Sequence, residues 1–171
     1  LELLKLPYSR DALSPVKSRE TIDYHYANLA QGYVDRFNKG EGDDKFNKAG
    51  AFLHNLYFPG LKEPGSKNQP TGKSAEIINK KYKNFDAFKE AVLKQAMSIQ
   101  GSGWVYMDLN GGIKTIVNHE IRKDIAMLID WWEHAWALDY QSDKKKYLEN
   151  QWKIINWNVI SARVGLESTD I

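Results

Sequence analysis

The hydrophobic pattern of the chain changes its period once, near residue 101, and no other feature limits the fold as strongly. Before this point apolar residues recur at steps of three and four, as in the stretch 18–38, and this spacing predicts helices. After it, "SGWVYMDLN" and "IKTIVNHE" flank Asn110-Gly111, a strong two-residue turn signal, and predict a β-hairpin. "IAMLIDWW" is a further apolar run of strand length. We therefore expect an α+β fold in which helices precede a small antiparallel sheet.

Local signals predict where the helices begin and end. Ser18 is a suitable cap for the first helix, and the second, "KFNKAGAFLHNLYF", should stop at Pro59-Gly60. The stretch 61–74 is rich in Pro, Gly, Ser and Lys and is the one credible linker. Two further helices are interrupted near Asn84. "KKKYLENQWKIINWNVISARV" has apolar residues at helical steps throughout and predicts a single closing helix.

Composition excludes several classes of protein. A formal charge of +2 over 171 residues, with no dominant basic stripe, argues against a nucleic-acid partner. The absence of cysteine excludes disulfides, thiolate metal sites and cysteine nucleophiles. No apolar run approaches the roughly 20 residues that a membrane span needs, so no membrane association is expected. The first residues lack the basic-then-apolar layout of a secretion signal, and a cytoplasmic location is the expectation.

Three of the four histidines lie in aromatic, apolar segments. These are His25 in "DYHY", His54 in "FLHNLYF" and His134 in "WWEHAW", and Asp130 precedes the last by four residues. Three neutral imidazoles and one carboxylate would suit zinc, iron or manganese. Taken singly, however, each histidine is more often an ordinary core or surface residue, and a pair four residues apart is common by chance.

A longer, ordered set of motifs resembles the iron/manganese superoxide dismutase family. "LPYSRDAL", "SRETIDYHYANLAQGYV", "GSGW", "DWWEHAWALDYQ" and "YLENQWKIINWNVISAR" follow one another between Leu6 and Val164. The resemblance implies a shortened N-terminal helical hairpin domain, 1–60. An α/β domain, 61–171, would follow, with a three-stranded antiparallel sheet, flanking helices and the metal between the two domains. It further implies one iron or manganese ion per subunit, with these ligands: His25, His54, Asp130 and His134.

The resemblance also assigns roles around the metal. Tyr33 matches the tyrosine that guards the substrate funnel and takes part in the hydrogen-bond relay, while Trp104 and Trp132 match tryptophans that line the pocket. Glu133 matches the acid that, in family dimers, hydrogen-bonds the ligand histidine of the other subunit, so a homodimer is implied. His119 stands where a glutamine often reaches the metal-bound solvent, and we interpret it as an outer-sphere donor; the alternative is an ordinary strand histidine.

Several positions bear on these expectations. Gly50 occupies the iron-type glutamine position, and His119 at the other position resembles some iron-dependent and metal-tolerant members, which favours iron over manganese. Leu29 and Ala137 replace the histidine and tyrosine of a standard cross-subunit pair. Phe58 replaces a pocket tryptophan. The segment between the first two ligands is shorter than usual, so the hairpin should be truncated.

The function implied is dismutation of superoxide to oxygen and hydrogen peroxide. One carboxylate among neutral ligands would let each electron taken up be balanced by a proton, which keeps the charge of a dry pocket constant. Two alternatives remain open: a dismutase-like metal-binding or structural protein without turnover, and a helical interaction module without metal. Trp131 is assigned only to packing.

Overall fold

Two antiparallel helical segments form the N-terminal part of the chain in the computed structural model, which describes residues 1–168. The first runs through α1 (Arg19–Ile22), a π-helical stretch (Asp23–Ala30) and α2 (Gln31–Lys39). Ser18 caps it as expected, since its hydroxyl accepts a hydrogen bond from the backbone N–H of Thr21. Helix α3 (Asp44–Tyr57) returns against α2 and ends in a 3₁₀ turn at Phe58–Gly60.

The π-helical stretch is a departure from the regular helix that the spacing predicts. From Asp23 to Ala30 the backbone is wider than an α-helix, because its hydrogen bonds span five residues instead of four. His25 lies in the first turn of this stretch and is fully buried. Stretches of this kind are rare and are often found at functional sites. Side-chain periodicity does not reveal them.

The sheet has the predicted antiparallel strands in the order β2-β1-β3. Helices α4 (Gly72–Tyr82) and α5 (Phe85–Met97) precede it, the second capped by Asn84. Strands β1 (Gly103–Asp108) and β2 (Ile113–Val117) form the hairpin, and β3 (Ile125–Asp130) pairs with the other side of β1. All residues of β1 and β3 are buried.

The hairpin connection is longer than the predicted two-residue turn. Asp108 pairs with Gly112 through its backbone N–H, and its carboxylate accepts hydrogen bonds from the N–H groups of Asn110 and Gly112. Of the two expected turn residues, Gly111 has a positive φ of 91°, but Asn110 does not. The carboxylate therefore closes a wider loop than a tight turn with two left-handed residues.

The prediction of a single closing helix is wrong. Helix α6 (Ala137–Tyr140) precedes α7 (Lys144–Gln151), which ends in a 3₁₀ turn at Trp152–Ile154, and a separate helix, α8 (Trp157–Arg163), follows. Ile155 leaves the helix to form an antiparallel bridge with Leu61, and the Asn156 side chain caps α8 by accepting from the N–H of Val159. Tertiary pairing overrides a helical period that continues in the sequence.

The bridge between Leu61 and Ile155 also holds the predicted linker, 61–74, against the C-terminal helices. The stretch is irregular until α4 begins, but Leu61 is 1% exposed and the Asn68 amide donates to the carbonyls of Trp152 and Ile155. Helices α5 and α8 pack on the sheet, and α3 packs against β3, so the N-terminal helices meet the sheet at its β3 edge. Within residues 1–168, none of the helices has the length and apolar character to cross a bilayer.

Candidate metal centre

Four side chains from four separate elements converge between the N-terminal helices and the sheet. His25 comes from the π-helical stretch, His54 from α3, Asp130 from the end of β3, and His134 from the 3₁₀ turn Glu133–Ala135. One nitrogen or oxygen of each lies within 4.8 Å of the others. The side chains of the first three are fully buried, and that of His134 is 9% exposed.

The donor atoms face one another around Asp130. Its Oδ2 lies 2.9 Å from Nε2 of His25, 3.0 Å from Nε2 of His134 and 3.6 Å from Nε2 of His54. The Nδ1–H of His54 donates to the carbonyl of Gly50 at 2.7 Å, so the Nε2 of the neutral ring carries a lone pair. This nitrogen lies 3.1 Å from Nε2 of His25. Lone pairs and a carboxylate gathered this closely fit a cation held between them.

Asp130 is held in place from two sides. Its Oδ1 accepts from the backbone N–H of Trp132 at 2.8 Å, and its carbonyl accepts from the hydroxyl of Tyr147 at 2.8 Å. Burial alone would raise the pKa of this carboxyl, but the neighbouring His134 and His25 outweigh burial and hold the pKa well below its usual range. The carboxylate is therefore ionised and oriented, with Oδ2 directed at the imidazoles.

Burial keeps the imidazoles of His25 and His54 neutral. It lowers the pKa of His54 to about 4 and that of His25 well below its ordinary value, and Asp130 opposes both changes only in part. Neutral imidazole is the form that binds a metal. Three imidazole nitrogens with one carboxylate oxygen are a donor set that suits iron, manganese or zinc.

Aromatic rings surround the four donors. Trp104 meets His54 edge-on with ring centroids 5.1 Å apart, and Phe58 lies 5.0 Å from His25. Trp132 stacks on His134 at 5.6 Å. These rings leave little room for water beside the donors, so electrostatic interactions there are stronger than they would be at the surface.

Beside the four donors, His119 and Tyr33 form a hydrogen-bonded pair. The Nδ1 of His119 accepts from the indole N–H of Trp104 at 3.1 Å, and an indole can only donate. Burial lowers the pKa of His119 to about 3, so the ring is neutral and its proton is on Nε2. That Nε2–H donates to the hydroxyl of Tyr33 at 2.8 Å, and the Tyr33 ring stacks 5.5 Å from His54.

Backbone geometry aims His119 at this position. Asn118, at the end of β2, adopts a positive φ of 55°, which asparagine tolerates better than most residues. Its N–H is bonded to the carbonyl of Ser102, so the turn is anchored to the start of β1. His119 then stacks on Trp132 with ring centroids 4.4 Å apart. Sequence spacing predicts none of these contacts, because each joins elements distant along the chain.

Comparison with known proteins agrees with this arrangement. Residues 70–163 match the C-terminal domain of iron/manganese superoxide dismutases, and residues 1–43 match their alpha-hairpin domain. A superoxide dismutase [Mn/Fe] of Porphyromonas gingivalis is 35% identical over an alignment that covers 95% of this chain and 98% of the relative. The chain belongs to the iron/manganese superoxide dismutase family. A superoxide dismutase [Fe] of Bacteroides fragilis is 34% identical with 95% and 98% coverage, and one of Escherichia coli is 33% identical with 96% and 98% coverage.

Membership in the superoxide dismutase family confirms the expected fold, a helical hairpin followed by a domain with a three-stranded antiparallel sheet. Gly50 sits directly under Tyr33: a Cβ at this glycine would lie 2.8 Å from Cγ of the tyrosine ring. The tyrosine ring therefore occupies the space that a glutamine would take at this position.

The residues that the family resemblance places at a subunit interface lie at the surface of this chain. Glu133 is exposed beside His134, and Leu29 and Ala137 are partly buried. Leu138, next to Ala137, is 51% exposed. This surface adjoins the partly exposed edge of His134.

A group of buried polar side chains behind Asp130, which the sequence did not predict, holds the backbone of this residue through the Tyr147 hydroxyl. The Tyr147 and Tyr57 hydroxyls lie 3.4 Å apart, and the Gln151 amide donates to the Tyr57 hydroxyl at 3.2 Å. All three side chains are buried, and burial raises the pKa of both tyrosines well above the ordinary value. Aromatic residues at helical steps indicate a core, and only the fold shows that their hydroxyls reach the site.

Proposed function

We propose that this protein dismutates superoxide to oxygen and hydrogen peroxide at one iron or manganese ion held by four ligands, His25, His54, Asp130 and His134. The observation that carries the proposal is the convergence of three imidazole Nε2 atoms on the ionised Asp130 in a buried pocket. A bound iron or manganese ion supplies the one-electron chemistry, in which one superoxide is oxidised and a second is reduced. Zinc has no such redox step.

The protein's own groups set the charge and the proton supply. The donor set contributes one negative charge, from Asp130, inside a wall of aromatic rings. A buried pocket disfavours a change in its net charge, so electron uptake there is favoured when a proton is taken up with it. Tyr33 lies where it can hold such a proton: burial raises the pKa of its hydroxyl to about 12, and His119 donates to its oxygen. The tyrosine proton is therefore directed away from His119.

Metal removal tests the proposal directly. Protein purified with its metal should contain about one iron or manganese per chain and should dismutate superoxide in a cytochrome c competition assay. Dialysis against a chelator should abolish turnover, and reloading should restore it. Metal-bound protein without turnover would instead favour the alternative, a dismutase-like metal-binding or structural protein. The changes at Leu29 and Ala137 keep that alternative open.

His119 is proposed to tune the metal from outside the ligand set. His119→Ala should keep one metal ion per chain, yet shift the metal's midpoint potential and lower superoxide turnover by about 10- to 100-fold, as is typical for partners next to metal ligands. Both hydrogen bonds of the ring are lost, so the Tyr33 hydroxyl loses its donor. Metal analysis, redox titration and the turnover assay measure the three quantities.

His119→Gln is the matched control for this prediction. A glutamine amide can accept from Trp104 and donate to Tyr33, so most of the turnover should return. Loss of the metal in His119→Ala would mean that His119 is itself a ligand. An unchanged midpoint potential of the metal would mean that His119 is an ordinary strand histidine.

Iron is the metal we favour. Gly50 leaves no glutamine in the iron-type place, and His119 supplies an imidazole donor from the sheet instead. Relatives carry both labels, since the Bacteroides fragilis protein is named superoxide dismutase [Fe] and the Porphyromonas gingivalis protein superoxide dismutase [Mn/Fe]. Activity per bound ion, compared after reloading with each metal, decides between them.

A homodimer is proposed on the exposed surface around Glu133. This carboxylate would hydrogen-bond the His134 imidazole of a second copy and fix its orientation. The exposed Leu138 adds apolar area beside it. Sedimentation equilibrium measures the mass of the protein in solution, which should be twice that of one chain. The division into domains 1–60 and 61–171 and the cytoplasmic location stay predictions.

A further inference from the structure

Lys17 is a fully buried lysine that the proposed chemistry does not use. It precedes the first helix, and its exposed fraction is 0%. Its ammonium donates to the carbonyl of Ala135 at 3.0 Å. No carboxylate of residues 1–168 lies within ion-pair distance of it. A lysine this deeply buried is rare, since the ammonium must give up water for few partners.

Two tyrosine rings compensate for the missing water. The Nζ of Lys17 lies 4.8 Å from the ring centroid of Tyr147 and 5.6 Å from that of Tyr57. The negative faces of aromatic rings attract cations, most strongly where water is excluded. Burial lowers the pKa of Lys17 to about 8, opposed by the charges of Asp130 and Asp139, so the amine remains largely protonated at neutral pH.

These same two tyrosines adjoin the metal centre. The Tyr147 hydroxyl donates to the carbonyl of Asp130 at 2.8 Å, and the Tyr57 ring lies 5.6 Å from the His25 ring. Ala135, which accepts from Lys17, directly follows His134. One aromatic layer therefore separates the ammonium from the candidate ligands. In a dry interior, a charge at this range is little screened by salt.

We propose that the buried ammonium of Lys17 provides a fixed positive potential that strengthens the binding of small anions, superoxide above all, at the candidate metal centre. The inference rests on the proposed function and extends it to substrate capture. An anion that enters the pocket adds negative charge, so a nearby cation favours the bound state. Electron uptake coupled to a proton leaves the pocket's charge unchanged, and the same cation should hardly affect it.

Lys17→Met tests the proposal, because methionine has a similar length and no charge. Azide, a small anion whose binding to the ferric protein is followed by absorbance, is the probe. Its dissociation constant should rise about tenfold, the size of effect expected when a nearby unit charge is removed from an interior with an effective dielectric constant of about 20. The difference should persist at raised salt, since the charge is buried. Metal content and midpoint potential at fixed pH should stay close to the parent values.

Two further variants complete the design. Lys17→Arg keeps the charge and should retain most of the azide affinity. Lys89→Met removes a lysine that also lies over a ring, that of Phe85 at 4.6 Å, on a helix remote from the site, and should change nothing. If Lys17→Met fails to fold, Lys17→Gln replaces it in the same measurement.

The outcomes separate the inference from the proposed function. Unchanged azide affinity in a folded, metal-loaded Lys17→Met or Lys17→Gln protein overturns the role of Lys17 and leaves dismutation intact. An altered midpoint potential or lost metal would show that the ligands were displaced, and the role would again be purely structural. A parent protein that binds metal and azide but has no turnover would overturn the proposed function instead.

Discussion

Asp130→Asn is expected to cost this protein its metal and its activity together. Asparagine preserves the shape and keeps an oxygen to accept from the Trp132 N–H, but it removes the one negative charge among the donors. Three neutral imidazoles would then face an ion of charge +2 or +3 with no compensating anion in a dry pocket. We expect metal content below one-tenth of an ion per chain and turnover lowered by more than about a hundredfold, beyond the loss typical for partners outside the ligand set.

Asp108→Asn is a matched control for this experiment. Asp108 lies at the far end of β1, is nearly as buried, and uses its Oδ1 to close the hairpin loop. An asparagine oxygen can accept the same two hydrogen bonds, so metal content and turnover should be close to the parent values. Full metal content in Asp130→Asn would contradict the assignment of Asp130 as a ligand.

The second large effect is expected from acid on the metal-free protein. Burial lowers the pKa of His54 from 6.5 to about 4 in the folded state, while in the unfolded chain it keeps the ordinary value. Between these two pH values His54 is therefore protonated in the unfolded chain but not in the folded protein. The contribution of neutral His54 to the free energy of unfolding is fully present above about pH 6.5 and is lost as the pH falls toward 4.

The size of the loss follows from the same pKa difference. At 1.36 kcal/mol per pKa unit, His54 alone lowers the free energy of unfolding by about 3 kcal/mol over this range. Solvent screens this effect little, because the side chain is fully buried. His25 acts in the same direction. Urea unfolding of the chelated protein at pH 7.5, 6.5, 5.5 and 4.5 measures the change.

A variant isolates the contribution of His54. In His54→Asn the side-chain amide can still donate to the carbonyl of Gly50, as the imidazole does now. Its metal-free form should lose stability less steeply, by up to about 1.4 kcal/mol per pH unit. Parallel curves for the parent and the variant would show that His54 does not control the acid response. Bound metal should move the loss in the parent to lower pH, because it competes with protons for the same nitrogens.

The strands and the candidate ligands were predictable because their signals are local or carried by long motifs. Alternating and continuous apolar runs place β1, β2 and β3, and the ordered motifs of the family resemblance single out His25, His54, Asp130 and His134. Features set by tertiary contacts were not predictable. Ile155 leaves a continuous helical period because Leu61 pairs with it, and the wider helix at His25 leaves the side-chain spacing unchanged.

Polar residues inside the core are the hardest to predict. Lys17 stands between Val16 and Ser18 in a stretch that reads as ordinary surface, and its burial depends on the tyrosines of α3 and α7. The residues next to His119 do not distinguish it from an ordinary histidine at the end of a strand. Its role as a donor depends on an indole from another strand. In each case the deciding partner is contributed by a distant part of the chain, so the local sequence carries no signal of it.

The order of the donors along the chain has one more consequence, for assembly. His25 and Asp130 are separated by on the order of 100 residues, so an ion shared between them closes most of the chain into one loop. Links that close long loops remove the most disorder from the unfolded chain. A bound ion would thus link the N-terminal helices to the sheet. Because these donors meet only when the two parts of the fold have docked, we expect metal loading to be a late step in the maturation of the protein.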